Sequence, residues 1–383
     1  MIDTTPRDLT DEDPEARLWA ARPSRRVLLK GAAAAALSGA GLSALAPRAS
    51  AAVNRAKLDK ELNFYNWSAW VGPTEVSRFS KKYGVTVHQD YYGSNDEMFA
   101  KLKAGGSSQY DVIVPSGYEV TRMMRLNMLK PLNYANIPNA KNLAPAFQDL
   151  QYDPGNKYSI PNDWGAVGIA YRTDLVKDNI TSWADVWRLA PKYHRKIVFL
   201  GTPRDVIGVA LLLNGYSVNS RKTSELMKAR DTLLQIKPHI LEITSVNQRP
   251  DLLKGDASII MDWNEEIPSA QTDKKVGKYI KWVNPREGMV AYTDHLAIPA
   301  QAPHPYTAEV FINWLLDPKN YAEFVNYDTT AFTMKPTKYI SKEVLTSPII
   351  NPPKSVLDKF QFQYDVGAAT VQYDRVWTEF KSA

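Results

Sequence analysis

Five short segments that follow apolar runs carry the residues best suited to chemistry: "WSAW" (67–70), "PSGYE" (115–119), "GTPRD" (201–205), "DWNEE" (262–266) and "AYTDH" (291–295). Together they are rich in aromatic and hydroxyl side chains and in carboxylates, and cationic groups among them are few. An ammonium held between the faces of Trp and Tyr gains about 0.5–2 kcal/mol of cation–π attraction, and a carboxylate adds a charge-assisted hydrogen bond. Aromatic faces also cover the methylenes of an alkyl chain. Walls of this kind with acidic ends select an alkylamine over a sugar or an anion. Any one Trp or Tyr near a strand end is more often core or rim packing, and a loop carboxylate is usually just solvated. The recurrence of the same two chemistries at several independent strand ends sets these segments apart.

Signatures of catalysis are missing. The chain has no GxSxG elbow, HExxH, Walker A loop or GxGxxG. Its five histidines, His88, His194, His239, His295 and His304, stand singly, without a second ligand or triad partner at a useful spacing. There is no cysteine, which excludes disulfides, thiolate metal sites, a cysteine nucleophile and a lipid-bearing cysteine. A non-enzymatic protein without cofactor or metal is therefore expected. The formal charge of +6 on 383 residues is mild, and its Lys and Arg residues form no stripe, so no nucleic-acid partner is expected.

The elements that must position these segments follow from hydrophobic periodicity. "LNFYNW", "VTVHQDYY", "YDVIVPS", "GIAYRTDL", "KIVFLG", "SIIMDW" and "DHLAIP" read as strands. Between them lie helical stretches: "TEVSRFSKKYG" stopped by Gly84, "SNDEMFAKLKAGG" with Ser94 and Glu97 at capping-box spacing, "SWADVWRLA" and "DVIGVALLLNG". This alternation predicts an α/β protein with parallel sheets covered by helices, in which ligands sit beyond the C-terminal strand ends.

The first 51 residues read as an export signal rather than as part of the fold. Arg25 and Arg26 in "SRRVLLK" precede "GAAAAALSGAGLSAL" and a small-residue stretch, "APRASAA", the layout of a twin-arginine signal. The apolar run is only about half the roughly 20 residues needed to span a bilayer. Cleavage after Ala51 leaves residues 52–383 as a periplasmic protein.

Taken in order, "FYNWSAWV", "YGSNDEMFAKLKAG", "YDVIVPSGYEV", "YSIPNDWGAVGIAY", "TSWADVW", "MDWNEE", "DHLAIPA" and "FQYDVGAA" resemble the spermidine/putrescine-binding proteins of bacterial ABC transporters, from about Leu58 to Lys381. The resemblance implies a two-lobed type II periplasmic binding fold, with a ligand cleft between lobes joined by a hinge. The lobes are expected over 52–163 with 296–340, and over 164–295 with 341–383. It implies one aromatic wall at Trp67 and Trp70 around Ser68, polar and aromatic contacts from Ser116 and Tyr118, stacking by Trp263 and Tyr292, and a polar contact from Gln363. Asp294 matches an acid that holds a terminal ammonium, Asp205 stands where the family has Glu, and Phe332 falls near a family Tyr.

Two departures bear on the ligand. Ala69 and Thr202 stand where the family has acids that serve one end of the slot. That end therefore reads as neutralised, which favours a ligand with one cationic end, unless Glu119, Asp163, Asp262, Glu265 or Glu266 restores the charge. The expected function is that of a monomeric solute-binding component of an ABC importer, delivering a polyamine or related alkylammonium compound to a membrane permease. Two alternatives share the fold: a ligand sensor for a membrane signalling partner, and a binder of ferric ion or an anion, prompted by Tyr91-Tyr92 and the basic balance.

Overall fold

A computed structural model describes residues 53–68 and 70–383. The expected export signal and its expected cleavage site, together with Ala69, lie outside the described residues. Eleven strands form one sheet: β1 (Glu61–Asn66), β2 (Thr86–Tyr91), β3 (Val112–Ile113), β4 (Ser159–Arg172), β5 (Ile197–Phe199), β6 (Ile240–Ile243), β7 (Ile259–Trp263), β8 (Ile280–Val283), β9 (Met289–Ala297), β10 (Ala331–Phe332) and β11 (Phe360–Phe362). The main order is β2-β1-β3-β9-β4-β7-β5-β6, with β8 and β10 on β4 and β11 on β9.

The expectation of parallel sheets holds for the outer strands and is corrected at the centre. The outer strands do run parallel, β1 with β2 and β3, and β5 with β6 and β7. The centre is antiparallel, with β9 against β3 and β4, and β4 against β7 and β8. The cause is a pair of long strands shared by two hydrophobic cores. Ile160 of β4 and Leu296 of β9 are buried in one core, with Leu62, Phe64, Val112 and Phe311. Val167 and Ile169 of β4 and Val290 of β9 are buried in the other, with Ile197, Val206, Leu233 and Phe380. Each fully buried side chain of this kind contributes about 1.5–3 kcal/mol, which pins both ends of β4 and β9. Their middles cross from one core to the other, and there the sequence turns polar, at Asp163 and at Asp294.

Helix ends follow the sequence signals. Gly84 closes the helix Glu75–Tyr83 in the left-handed region (φ 74°), and its N–H bonds to the Ser80 carbonyl. Ser94 Oγ accepts the Glu97 N–H at 3.2 Å ahead of the helix Asn95–Lys103. Glu97 returns its carboxylate one residue further back than a capping box does, to the N–H of Gly93 (2.8 Å). One glycine is needed for packing at the crossing: a Cβ on Gly165 would lie 2.2 Å from the Tyr292 hydroxyl oxygen and 2.8 Å from Asn264 Oδ1. Gly165 is the register partner of Tyr292, so its missing side chain makes room for that ring.

Candidate functional site

The sequence segments converge where β4 and β9 cross. Ser116 is the N-cap of the helix Gly117–Arg125, but its side chain makes no capping bond. Its Oγ donates instead to Asp294 Oδ1 at 2.5 Å. Asn95 holds Ser116 in that orientation: its Nδ2 donates to Ser116 Oγ (2.9 Å) and its Oδ1 accepts the Ser116 N–H (3.0 Å). Asn95 was not among the sequence candidates, because nothing in its spacing distinguishes it from any first-turn helical residue.

Asp205 occupies the first turn of the helix Pro203–Leu213, where the helix dipole favours negative charge. It accepts from Thr202 Oγ1 (2.6 Å), Gln363 Nε2 (2.7 Å) and Trp263 Nε1 (3.4 Å). Thr202, read as neutralising one end of the slot, thus serves as a donor to Asp205. Tyr292 sits two residues before Asp294 on β9 and therefore on the same face, and its hydroxyl donates to Glu265 Oε1. Trp70 Nε1 donates to Asp163 Oδ2 at 3.2 Å, and its ring lies 4.8 Å from that of Phe324.

The remaining three sequence candidates are placed differently. Trp67 gives its indole N–H to the Val114 carbonyl (3.0 Å) and its ring to Tyr92 in an edge contact at 4.4 Å. Tyr118 has the Arg204 guanidinium over its ring at 5.1 Å, so one face is already taken by an internal cation. Ser68 is the only one of the ten that is exposed.

Of the acids named as replacements for the missing charge, Asp163 and Glu265 join the site. Asp163 is the register partner of Asp294 across β4 and β9, and Glu265 is the acceptor of Tyr292. Glu119 and Glu266 lie beside arginines, Arg122 at 3.5 Å and Arg249 at 2.9 Å. Asp262 takes the Trp263 backbone N–H and feels Glu266 and Arg249. Asp328, at the end of the helix Pro318–Asp328, completes the group and was missed. Its segment, "NYDTTAF", carries the same aromatic, hydroxyl and carboxylate types as the others, but it lies at the end of the helix Pro318–Asp328 and not after an apolar strand, so the strand-end criterion passed over it. Phe332 pairs with Asp163 through β10.

The electrostatics are those of buried carboxyls pushed toward their protonated forms by burial and by one another. Burial, with the charge of Asp205, pushes Asp294 up to about 7, against the opposing hydrogen bond from Ser116. Burial also raises Asp205, held back by its bonds from Thr202, Gln363 and Trp263. Asp163 is pushed well above the carboxylate range by burial and then by Asp294, Asp328 and Glu265. Glu265 is raised by burial and Asp328, and Asp328 reaches about 7 through burial, Glu266 and Asp294. Such a string is costly when empty and is relieved by a cation entering it.

Two further expectations are settled by geometry. Tyr91 and Tyr92 do not converge: Tyr91 is 52% exposed, whereas Tyr92 is buried with its hydroxyl donating to the Val114 carbonyl at 2.6 Å. His295 is a satisfied core histidine. It is hydrogen-bonded to Tyr152 and Ser159, and burial lowers its pKa to about 3. The reading of all five histidines as solitary is corrected for one pair. The parallel pairing of β5 with β6 brings His194 and His239 together, Nδ1 to Nδ1 at 3.1 Å. Among the described residues, no group of three or more His, Asp or Glu is arranged to hold a metal ion.

Two cores joined by shared crossing strands, with a polar site on the crossing, define a two-lobed periplasmic binding protein of type II. The family model for bacterial extracellular solute-binding proteins matches residues 75–350, and the chain belongs to that family. It is 35% identical over 324 residues to the spermidine/putrescine-binding periplasmic protein 1 of Haemophilus influenzae, covering 83% of this chain and 88% of that protein. It is 32% identical to a putrescine-binding periplasmic protein of Escherichia coli, covering 84% and 92%. Among solved structures, the spermidine/putrescine ABC transporter substrate-binding protein of Streptococcus pneumoniae superposes with a TM-score of 0.69. The identity is 27%, over 85% of this chain and 99% of that one.

Proposed function

We propose that this protein is the periplasmic solute-binding component of an ABC importer and that it captures a polyamine or a related alkylammonium compound. The observation that carries this reading is the placement of Asp205 and Asp294. Both are buried at the crossing, each is oriented by donors from separate parts of the chain, and aromatic side chains surround them. The names of the relatives support the same substrate class.

Ser116 falls in the first of the lobes proposed here and its partner Asp294 in the second, so a ligand bound here touches both lobes. Contacts available only when the lobes meet stabilise the closed form, which is the form a membrane permease would recognise. Lobes over 52–163 with 296–340 and 164–295 with 341–383, export by the twin-arginine route with cleavage after Ala51, and a monomeric state complete the proposal. No catalysis and no cofactor are part of it.

The test is a calorimetric titration of the purified protein with spermidine, putrescine and cadaverine, alongside a sugar and an anion of similar size. Saturable binding of the amines alone supports the reading. Binding of the sugar or anion in their place overturns it.

A further inference from the structure

The parallel pairing of β5 with β6 creates a cluster of ligating side chains that the amine slot does not use. His194 precedes β5, and His239 ends the short 3-10 helix Lys237–His239 ahead of β6. Both stand at the N-terminal ends of these strands, whereas Asp205 follows the C-terminal end of β5. Their Nδ1 atoms are 3.1 Å apart, the rings are nearly perpendicular at 83°, and the ring centroids are 5.3 Å apart.

The backbone fixes this approach. Arg195, between His194 and β5, sits in the left-handed region (φ 58°), which a residue with a Cβ adopts only where its surroundings hold it. Two bonds do so: the Arg195 N–H donates to the His239 carbonyl (2.8 Å), and Arg195 Nη1 donates to the Ile240 carbonyl (2.7 Å). The turn before β5 is thereby tied to the turn before β6, with one imidazole on each.

Only one proton fits between two nitrogens at this spacing, so one Nδ1 presents its lone pair to the other. A divalent transition-metal ion can take that proton's place. Metal–imidazole bonds of about 2.0–2.1 Å to nitrogens so spaced close an angle of about 100° at the ion, between the about 90° of square-planar and the about 109° of tetrahedral coordination. The nitrogens now lie almost on the line joining the ring centroids, and each ring turns by roughly 40° to aim at an ion with those bond lengths. His194 is exposed and His239 half-buried, which permits that turn. Nearby cations are held elsewhere, Lys192 on Asp178 (2.7 Å) and Lys237 on the carbonyls of Phe380 and Lys381 (2.9 Å each). Their charges oppose a bound cation but are screened at this surface.

We propose that His194 and His239 form a two-ligand surface site for a divalent transition-metal ion, with water in the remaining positions. Two ligands from the chain make a weaker site than the three or four of a catalytic or structural zinc centre, so no resident cofactor is implied. Imidazole donors favour Cu²⁺ over Zn²⁺ and reject Mg²⁺, which seeks oxygen. The site is independent of amine binding.

The experiment titrates CuCl₂, ZnCl₂ and MgCl₂ into the untagged protein, H194N and H239N by calorimetry, in a buffer that does not bind metal, with electron paramagnetic resonance of the Cu²⁺ samples. Melting curves check the fold, and H194Q or H239Q replaces a variant that fails to fold. In the wild type one Cu²⁺ should bind per chain, more tightly than Zn²⁺ and without competition from Mg²⁺, and its hyperfine pattern should show two imidazole nitrogens. Each substitution should weaken Cu²⁺ at least about 10-fold, the lower end of what loss of a supporting partner costs a metal site, and leave at most one nitrogen. Absence of saturable Cu²⁺ binding in the wild type overturns the proposal. Wild-type affinity and nitrogen count kept in either variant overturn it equally, because the ion then binds elsewhere.

Discussion

Replacing Asp294 with asparagine separates the cost of an empty buried charge from its use in binding. Asparagine keeps an oxygen to accept from Ser116 Oγ and removes only the charge. Burial and Asp205 raise Asp294 from an ordinary 3.8 to about 7. A carboxyl raised in this way holds its proton in the folded state at pH values where the unfolded chain has lost it. Its contribution to stability is therefore complete below about 3.8 and is lost as the pH rises through about 7. Each pKa unit corresponds to about 1.4 kcal/mol, so at pH 8 the unliganded protein gives up on the order of a few kcal/mol to this one charge. D294N should raise the melting temperature at pH 8 by several degrees, at about 2–4 °C per kcal/mol, and by only about a third as much at pH 5, where most of the loss between 3.8 and about 7 has yet to occur. The same substitution should weaken amine binding by about 2–5 kcal/mol, roughly 30-fold to several thousandfold. Differential scanning calorimetry at both pH values and titration with putrescine read the two effects. A variant less stable at both pH values, or one that binds putrescine as the wild type does, refutes the reasoning.

Amine binding at pH 7 should release protons, because a bound cation returns Asp294 and Asp328, both at about 7 when empty, to their charged forms. The calorimetric enthalpy should then depend on the ionisation enthalpy of the buffer at pH 7 and much less at pH 9; buffer independence at pH 7 contradicts this. Trp263→Phe keeps a ring and loses the N–H to Asp205, whereas Trp263→Ala loses both. If the ring face binds cation, the alanine variant should lose a further ~0.5–2 kcal/mol of affinity, and equal losses in the two variants argue against stacking. Ser94→Ala removes the cap of the helix Asn95–Lys103 and should cost about 1 kcal/mol of stability without changing amine affinity; a matching loss of affinity would mean that the cap positions Asn95 for Ser116.

Much of this arrangement was legible in the residues because it is local. The alternation of apolar runs with amphipathic stretches located the outer strands and their helices, and the stop at Gly84 and the cap at Ser94 depend on neighbours a few positions away. Ser116, Asp205, Trp263 and Asp294 were found through their types at strand ends and Gln363 through the family resemblance, and they form two hydrogen-bonded sets, Ser116 with Asp294, and Asp205 with Trp263 and Gln363. What escaped is set by long-range pairing. β4 read as a strand only from "GIAYRTDL", because Pro161 interrupts the run before it, yet the strand starts at Ser159 and absorbs Pro161 beside a register irregularity. That longer strand places Asp163 opposite Asp294 and makes the sheet centre antiparallel. Asn95 and Asp328 matter through partners more than 20 positions away, and no local pattern announces such contacts.

The most direct measurement is a crystal structure of the protein grown with putrescine. The account predicts one nitrogen at about 2.7–3.2 Å from oxygens of Asp294 and Asp205, with the methylenes against the rings of Trp263 and Tyr292. A ligand bound away from the β4–β9 crossing, or those carboxylates left without a cation at saturating putrescine, would contradict it.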